Sequence, residues 1–278
     1  MKFSITAISA LILSTAVSMT TADSYSDAMK SWCGGLGVSF PTSSTVVTAG
    51  SKTKVTVTRK PDQRTKTVTG LDLYSVDSSG KAKYVQNVWS GKYNLQKTAS
   101  ITDTIPSNVS PGLYYYRVWV TNMVNGQHGP DCLQTSHTFK VTSSSHKNAD
   151  GTMEYAESLD DENIYHPDHY NGCFGLTVDY PAPNGEFNVD EHIHIQVNRD
   201  SASQTDALTK VELYKGDELV DVAWTGNEPI LNSFTLKDHL KLDNVDPAAD
   251  YHYKLEVTSQ HSDDHCTFVS NNFKIKSE

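Results

Sequence analysis

The chain has 278 residues, 37% of them hydrophobic and 20% charged, and a net charge of −10. It is long enough for two domains and apolar enough for packed cores, and its acidity argues against nucleic acid as a partner. No stretch beyond the first 22 residues is apolar enough to cross a bilayer.

Residues 1–22 read as a secretory signal: a positive start at Lys2, an apolar run from Ile5 to Val17, and small residues at Ala16, Ser18, Thr20 and Ala22. The polar C-terminus, Asn271 to Glu278, lacks the hydrophobic tail of a lipid-anchor signal. The expected location is therefore outside the cell.

Residues 23–143 form the first of two copies of one pattern. Short alternating runs predict strands near Leu36–Phe40, Lys52–Arg59, Thr69–Val76, Lys83–Trp89, Thr98–Thr104, Leu113–Asn122 and Ser136–Val141. Turn residues separate them, as at Ala49-Gly50, Ser79-Gly80, Pro111-Gly112 and Asn125-Gly126. Residues 144–172 open with serines and continue through Glu154, Glu157, Asp160, Asp161, Glu162 and Asp168, an acidic linker expected to be extended. Within it, Tyr165–Tyr170 is expected to dock against the start of the second copy.

The second copy, residues 173–278, repeats the list: Leu176–Tyr180, His192–Arg199, Thr209–Lys215, Leu219–Trp224, Ser233–Leu240, Asp250–Ser259 and Ser270–Lys276. Its anchors match those of the first copy. Cys33 precedes Pro41 as Cys173 precedes Pro181, and Cys132 precedes Phe139 as Cys266 precedes Phe273. Leu71–Tyr74 answers Val211–Tyr214, and Trp89-Ser90-Gly91 answers Trp224-Thr225-Gly226. Only the pairing Cys33–Cys132 and Cys173–Cys266 lets both copies fold alike, and an exported chain favours disulfides. The fold class that follows is all-β, two tandem β-sandwiches joined by the acidic linker. Val245-Asp-Pro-Ala-Ala-Asp-Tyr251, opening an alternating strand, resembles the tyrosine corner of immunoglobulin-like and fibronectin type III domains; Val109 to Tyr114 repeats it one residue shorter.

A family resemblance rests on the first copy. Phe40-Pro41-Thr-Ser-Ser-Thr-Val-Val-Thr-Ala49-Gly50, Val55–Thr58, Leu71–Tyr74, Gly112–Val118 and Ser136–Phe139 resemble the Kre/Knh-type domain of fungal cell-wall proteins. The resemblance implies an immunoglobulin-like, secreted protein tied to wall organisation and β-glucan assembly. Polysaccharide or a wall protein would be its partner.

Residues 23–143 carry 13 Lys and Arg against 7 Asp and Glu, and residues 144–278 carry 9 against 26. Such opposite fields suit domain docking or self-association. Comparison of the copies then separates core from surface. Tyr114, Tyr116, Val118 and Val120 match Tyr251, Tyr253, Leu255 and Val257 and are expected in the cores, as are Trp89, Trp224, Tyr74 and Tyr214. The alternate face carries Tyr115, Arg117 and Trp119 where the second copy has His252, Lys254 and Glu256. Two aromatics around an arginine form a candidate polysaccharide surface.

Other chemistry is sparse. His192 and His194 share one side of a strand and are the weak metal candidates; no zinc spacing accompanies them. Nucleophile elbows, phosphate loops and His-Glu-x-x-His are absent from the sequence, so neither catalysis nor a cofactor is expected. Asn108 opens a glycosylation sequon followed by Pro111. The expected function is a non-catalytic cell-wall or surface protein, with a metal-binding protein or a self-assembling adhesion protein as alternatives.

Overall fold

The computed structural model describes residues 27–142, 165–230, 232–242, 244–261 and 265–276. The expected signal at 1–22 and residues 144–164 of the expected linker lie outside them.

Domain 1 contains β1 (Leu36–Phe40), β2 (Val46–Thr48), β3 (Lys52–Arg59), β4 (Thr65–Val76), β5 (Ala82–Asn94), β6 (Thr98–Thr104), β7 (Gly112–Val124), β8 (Gln127–His128), β9 (Cys132–Thr135) and β10 (Phe139–Thr142). One sheet runs β1-β3-β6 and the other β2-β10-β7-β4-β5, with β8 and β9 also pairing β7. Domain 2 contains β11 (Leu176–Tyr180), β12 (Gly185–Asn188), β13 (His192–Arg199), β14 (Thr205–Lys215), β15 (Glu218–Pro229), β16 (Ser233–His239), β17 (Tyr251–Ser259), β18 (His265–Val269) and β19 (Phe273–Lys276). Its sheets, β11-β13-β16 and β12-β19-β17-β14-β15 with β18 beside β17, repeat the order of domain 1. Both are sandwiches of the immunoglobulin and fibronectin type III kind, as the strand pattern requires.

Alternation builds each core. Val55 and Val57 of β3, Leu71 and Leu73 of β4, and Tyr116, Val118 and Val120 of β7 are all buried, as are Ile193, Ile195, Val211, Leu213, Tyr253, Leu255 and Val257 in domain 2. Disulfides Cys33–Cys132 and Cys173–Cys266 staple the copies alike. They close loops of 99 and 93 residues, worth about 4–5 kcal/mol each on chain-entropy grounds. Both tyrosine corners form. The Tyr114 hydroxyl donates to Ser110 O at 2.8 Å, and the Tyr251 hydroxyl accepts from Asp246 N at 3.0 Å.

Trp89 and Trp224 pack against the core margins and lie over Gly91 and Gly226, where a side chain would collide with the indole. Tyr74 and Tyr214 are not core residues. They follow Leu73 and Leu213 by one position, so the pleat turns them to the outer face, where both are partly buried. A further shared device is a buried Tyr–Asp pair. Tyr116 donates to Asp103 Oδ2 at 2.8 Å and Tyr253 to Asp238 Oδ2 at 2.6 Å.

The domains meet pole to pole. The domain 1 side is the end holding Val76, Leu113, the β4–β5 turn and residues 135–138; the domain 2 side holds residues 172–174, 202–204 and 260–261. Tyr115, Phe174, Tyr165, Leu113 and Val76 form a buried apolar cluster. Polar ties surround it. Tyr115 donates to Ala202 O at 2.6 Å, Gln204 Nε2 to Ser136 O at 2.8 Å, and Thr135 Oγ1 to Gln260 Oε1 at 2.9 Å. His261 Nε2 lies 2.7 Å from Thr135 Oγ1, and its ring packs 4.6 Å from that of His137.

The linker end does meet the start of the second copy, where His169 lies edge-on to Phe174 at 6.1 Å, but most of its ties run to domain 1. The Tyr165 hydroxyl donates to Val141 O at 3.1 Å, and Lys140 Nζ lies 5.0 and 4.7 Å from the Tyr165 and Tyr170 ring centres. The short helix Pro167–Tyr170 is tied by Thr138 Oγ1, whose single proton is shared between His169 O at 3.1 Å and Tyr170 O at 3.0 Å. Proximity to Lys140, the last cation of domain 1, and the apolar cover offered by Val76 and Leu113 explain the choice.

Candidate functional site

The outer face of the large sheet of domain 1 is built from β5, β4 and β7, in the register Tyr84–Tyr74–Tyr115, Asn87–Asp72–Arg117 and Ser90–Gly70–Trp119. Residues directly opposite across antiparallel strands share a face. The three residues expected to form a polysaccharide surface therefore do line one side of β7, but they do not share one environment.

Tyr115 leaves the surface. It is fully buried, stacked on Tyr74 at 5.4 Å and covered by Phe174 at 5.7 Å, and desolvation pushes its phenol well above the ordinary tyrosine range. It is a joint residue rather than a ligand contact, because domain 2 caps this end of the sheet. Arg117 is 8% exposed, donates to the Tyr74 hydroxyl at 2.9 Å, and stacks over the rings of Tyr74 and Trp119 at 5.0 and 5.7 Å. It props the aromatics from beneath.

Trp119 keeps 39% of its surface exposed. Its Nε1 donates to Asp72 Oδ2 at 2.7 Å, and Asp72 Oδ1 accepts from Asn87 Nδ2 at 2.9 Å. Ser90 Oγ donates to Asn87 Oδ1 at 2.8 Å, extending the chain across three strands. Gly70 lies beneath the indole: a Cβ at that position would come 3.3 Å from Trp119 Cδ1, so the ring would have to shift by a few tenths of an ångström. The product is an aromatic plate whose edge is fixed by a carboxylate, an amide and a hydroxyl in sequence. Tyr84, 51% exposed, extends the aromatic character toward the joint. Such a surface offers a ring face for apolar stacking and acceptors and donors for hydroxyls.

Domain 2 keeps the props and loses the plate. Tyr214 stacks on His252 at 5.7 Å under Lys254, as Tyr74 does on Tyr115 under Arg117. The counterparts of Gly70 and Trp119 are Lys210 and Glu256, and Lys210 forms an ion pair with Glu212. Asp72, Asn87, Ser90 and Gly70 were missed in the sequence, although the Gly70/Lys210 difference between copies marks the position of the plate.

His192 and His194 face outward, as expected, on β13. The ring beside His192 belongs to His239 of β16, at 4.3 Å, and His239 Nε2 lies 3.0 Å from Asp190 O. Among the described residues no group of three or more His, Cys, Asp or Glu side chains is placed to hold a metal ion. Asn108 is exposed in the turn before β7. Among the described residues no helix is long and apolar enough to cross a membrane.

No protein-family model matches the chain, and no curated protein matches it. Solved structures that it resembles include the fibronectin(III)-like modules of Clostridium thermocellum CbhA, at 13% identity and TM-score 0.23 over 87% of this chain and 94% of that one. CBD12 from CALX1.2 matches at 7% identity and TM-score 0.26 over 83% and 82%. A chimeric titin Z1Z2–Z1Z2 tandem matches at 11% identity and TM-score 0.24 over 88% and 98%.

Proposed function

We propose that the chain is a secreted, non-catalytic protein of the cell wall or cell surface that holds polysaccharide on the outer face of domain 1. The observation that carries this reading is Trp119 laid across Gly70 with its indole nitrogen fixed by Asp72. A pyranose ring would set its C–H face on the indole, while its hydroxyls donate to the remaining lone pairs of Asp72 and Ser90 Oγ. The two disulfides suit an oxidising compartment. Likeness of the first copy to Kre/Knh-type domains directs the reading toward a fungal wall and β-glucan.

Pull-down on insoluble β-glucan and chitin tests it. Trp119→Ala should lose most of the bound fraction, and Gly70→Ala, which displaces the indole without removing it, should lose part. Equal recovery of wild type and Trp119→Ala would remove the assignment.

A further inference from the structure

The joint uses one pole of each domain, and duplication gives the two remaining poles the same construction. In domain 2 the docked pole includes Gly172, Ala202, Ser203, Gln204 and His261. Their counterparts in domain 1 are Trp32, Asp62, Gln63, Arg64 and Val124. Those five line an open groove of about 330 Å³, which adjoins a larger one of about 630 Å³ reaching Arg59, Asn94, Gln96 and Lys97. Arg64 stacks on Trp32 at 4.6 Å, while Lys60 and Lys97 are exposed at the rim. Asp62 is shared among Arg59, Arg64 and Lys66, and the exposed Asp27 and Asp131 are outnumbered at this end by Lys30, Lys60, Arg64 and Lys97.

The opposite pole of domain 2 matches the docked pole of domain 1. Val269 stands where Thr135 stands and is 54% exposed; Leu219 stands where Tyr84 stands and is 47% exposed. Asp217, Glu218, Asp246 and Asp250 gather there. Lys215 pairs with Glu218 at 3.2 Å and Lys274 with Asp250 at 2.8 Å, so Asp217 and Asp246 are the acidic excess of this pole.

We propose that copies of the chain associate head to tail, the basic pole of domain 1 in one copy receiving the acidic pole of domain 2 in the next. The contact repeats the internal joint with charge in place of its apolar cluster. It is heterologous, so it leaves one open pole at each end and grows as a filament unless the rotation closes. Its attraction is between exposed charges, so salt screens it. It is independent of the saccharide surface, which lies on the sheet face rather than the poles.

Sedimentation velocity of the full chain tests it, over a range of concentrations in about 0.01 M and about 1 M salt, where the Debye length falls from roughly 30 to 3 Å. Wild type should show concentration-dependent species above the monomer at low salt and monomer alone at high salt. Lys60→Glu/Arg64→Glu blocks one pole and Asp217→Arg/Glu218→Arg the other, and each should be monomeric alone. Mixed in equal amounts they should associate beyond the monomer again, since each supplies the pole that the other lacks and the two reversed poles are themselves opposite in charge. Lys97→Glu, exposed on the same groove, should weaken association as well and guards against a folding defect in the first variant. A wild type that stays monomeric at low salt, association that survives either reversal, or a mixture that stays monomeric would each overturn the proposal.

Discussion

Acidification from pH 7 to pH 5 should loosen the joint through His169 and His261. His169 is 7% exposed, stacked on His166 at 4.4 Å and set edge-on to Phe174 at 6.1 Å. Burial first, and the His166 ring second, push its pKa down to about 4 from 6.5, against the smaller pull of Asp168 and Asp77. His261 is pushed down to about 4 by burial and then by His137, whose own pKa burial also lowers. In the unfolded chain both would titrate near 6.5. The native form therefore binds fewer protons, so stability is complete above about pH 6.5, falls as the pH drops toward 4, and falls no further below that. At pH 5 the loss is about 2 kcal/mol for His169 and somewhat less for His261, which keeps partial solvent contact, or about 3 kcal/mol together. Carboxylates that hydrogen bonds and nearby cations hold low, such as Asp77 and Asp62, lose their contribution below about pH 4, outside this interval. Asp103, whose carboxyl burial raises, acts with the opposite sign and gains on protonation. Urea unfolding at pH 7 and pH 5 measures the difference, and His169→Gln/His261→Gln should remove most of it. A double variant that loses as much stability as wild type over that interval would refute the reasoning.

Asp103→Ala and Asp238→Ala should each cost about 1–3 kcal/mol by leaving a buried tyrosine hydroxyl without its acceptor, with Asn recovering part, as thermal unfolding would read. Phe174→Ala empties the centre of the joint and should cost about 3–5 kcal/mol, splitting a single calorimetric transition toward two. A single transition with an unchanged midpoint would show that the cluster does not couple the domains.

Duplication made the cores legible, because residues such as Tyr116 and Tyr253 or Leu73 and Leu213 recur at equal positions on one face. It also exposed the disulfides. It misled at Tyr115, where alternation correctly indicates the outer face but cannot say that a second domain covers it. A difference between copies marks docking as readily as ligand contact, since stacked duplicates must each present a different pole. The Asp103 and Asp238 positions were readable in principle. Each lies two residues beyond an inward aliphatic, buried Ile101 and partly buried Leu236, so an acid at an inward position in both copies implied a buried partner. β9 and β18, the short strands carrying the second cysteines, escaped notice because four or five residues give too little period to register.

The hydroxyl of Tyr165 bonds the carbonyl of Val141, one residue before domain 1 ends its last strand. Two points 24 residues apart in sequence are thus pinned side by side, so the arrangement of the halves is set by contacts and not by the length of chain that connects them. Halving that length would alter the closure cost by only about 0.6 kcal/mol. Evolution is then free to lengthen, shorten or recharge the connection without disturbing the geometry on either side.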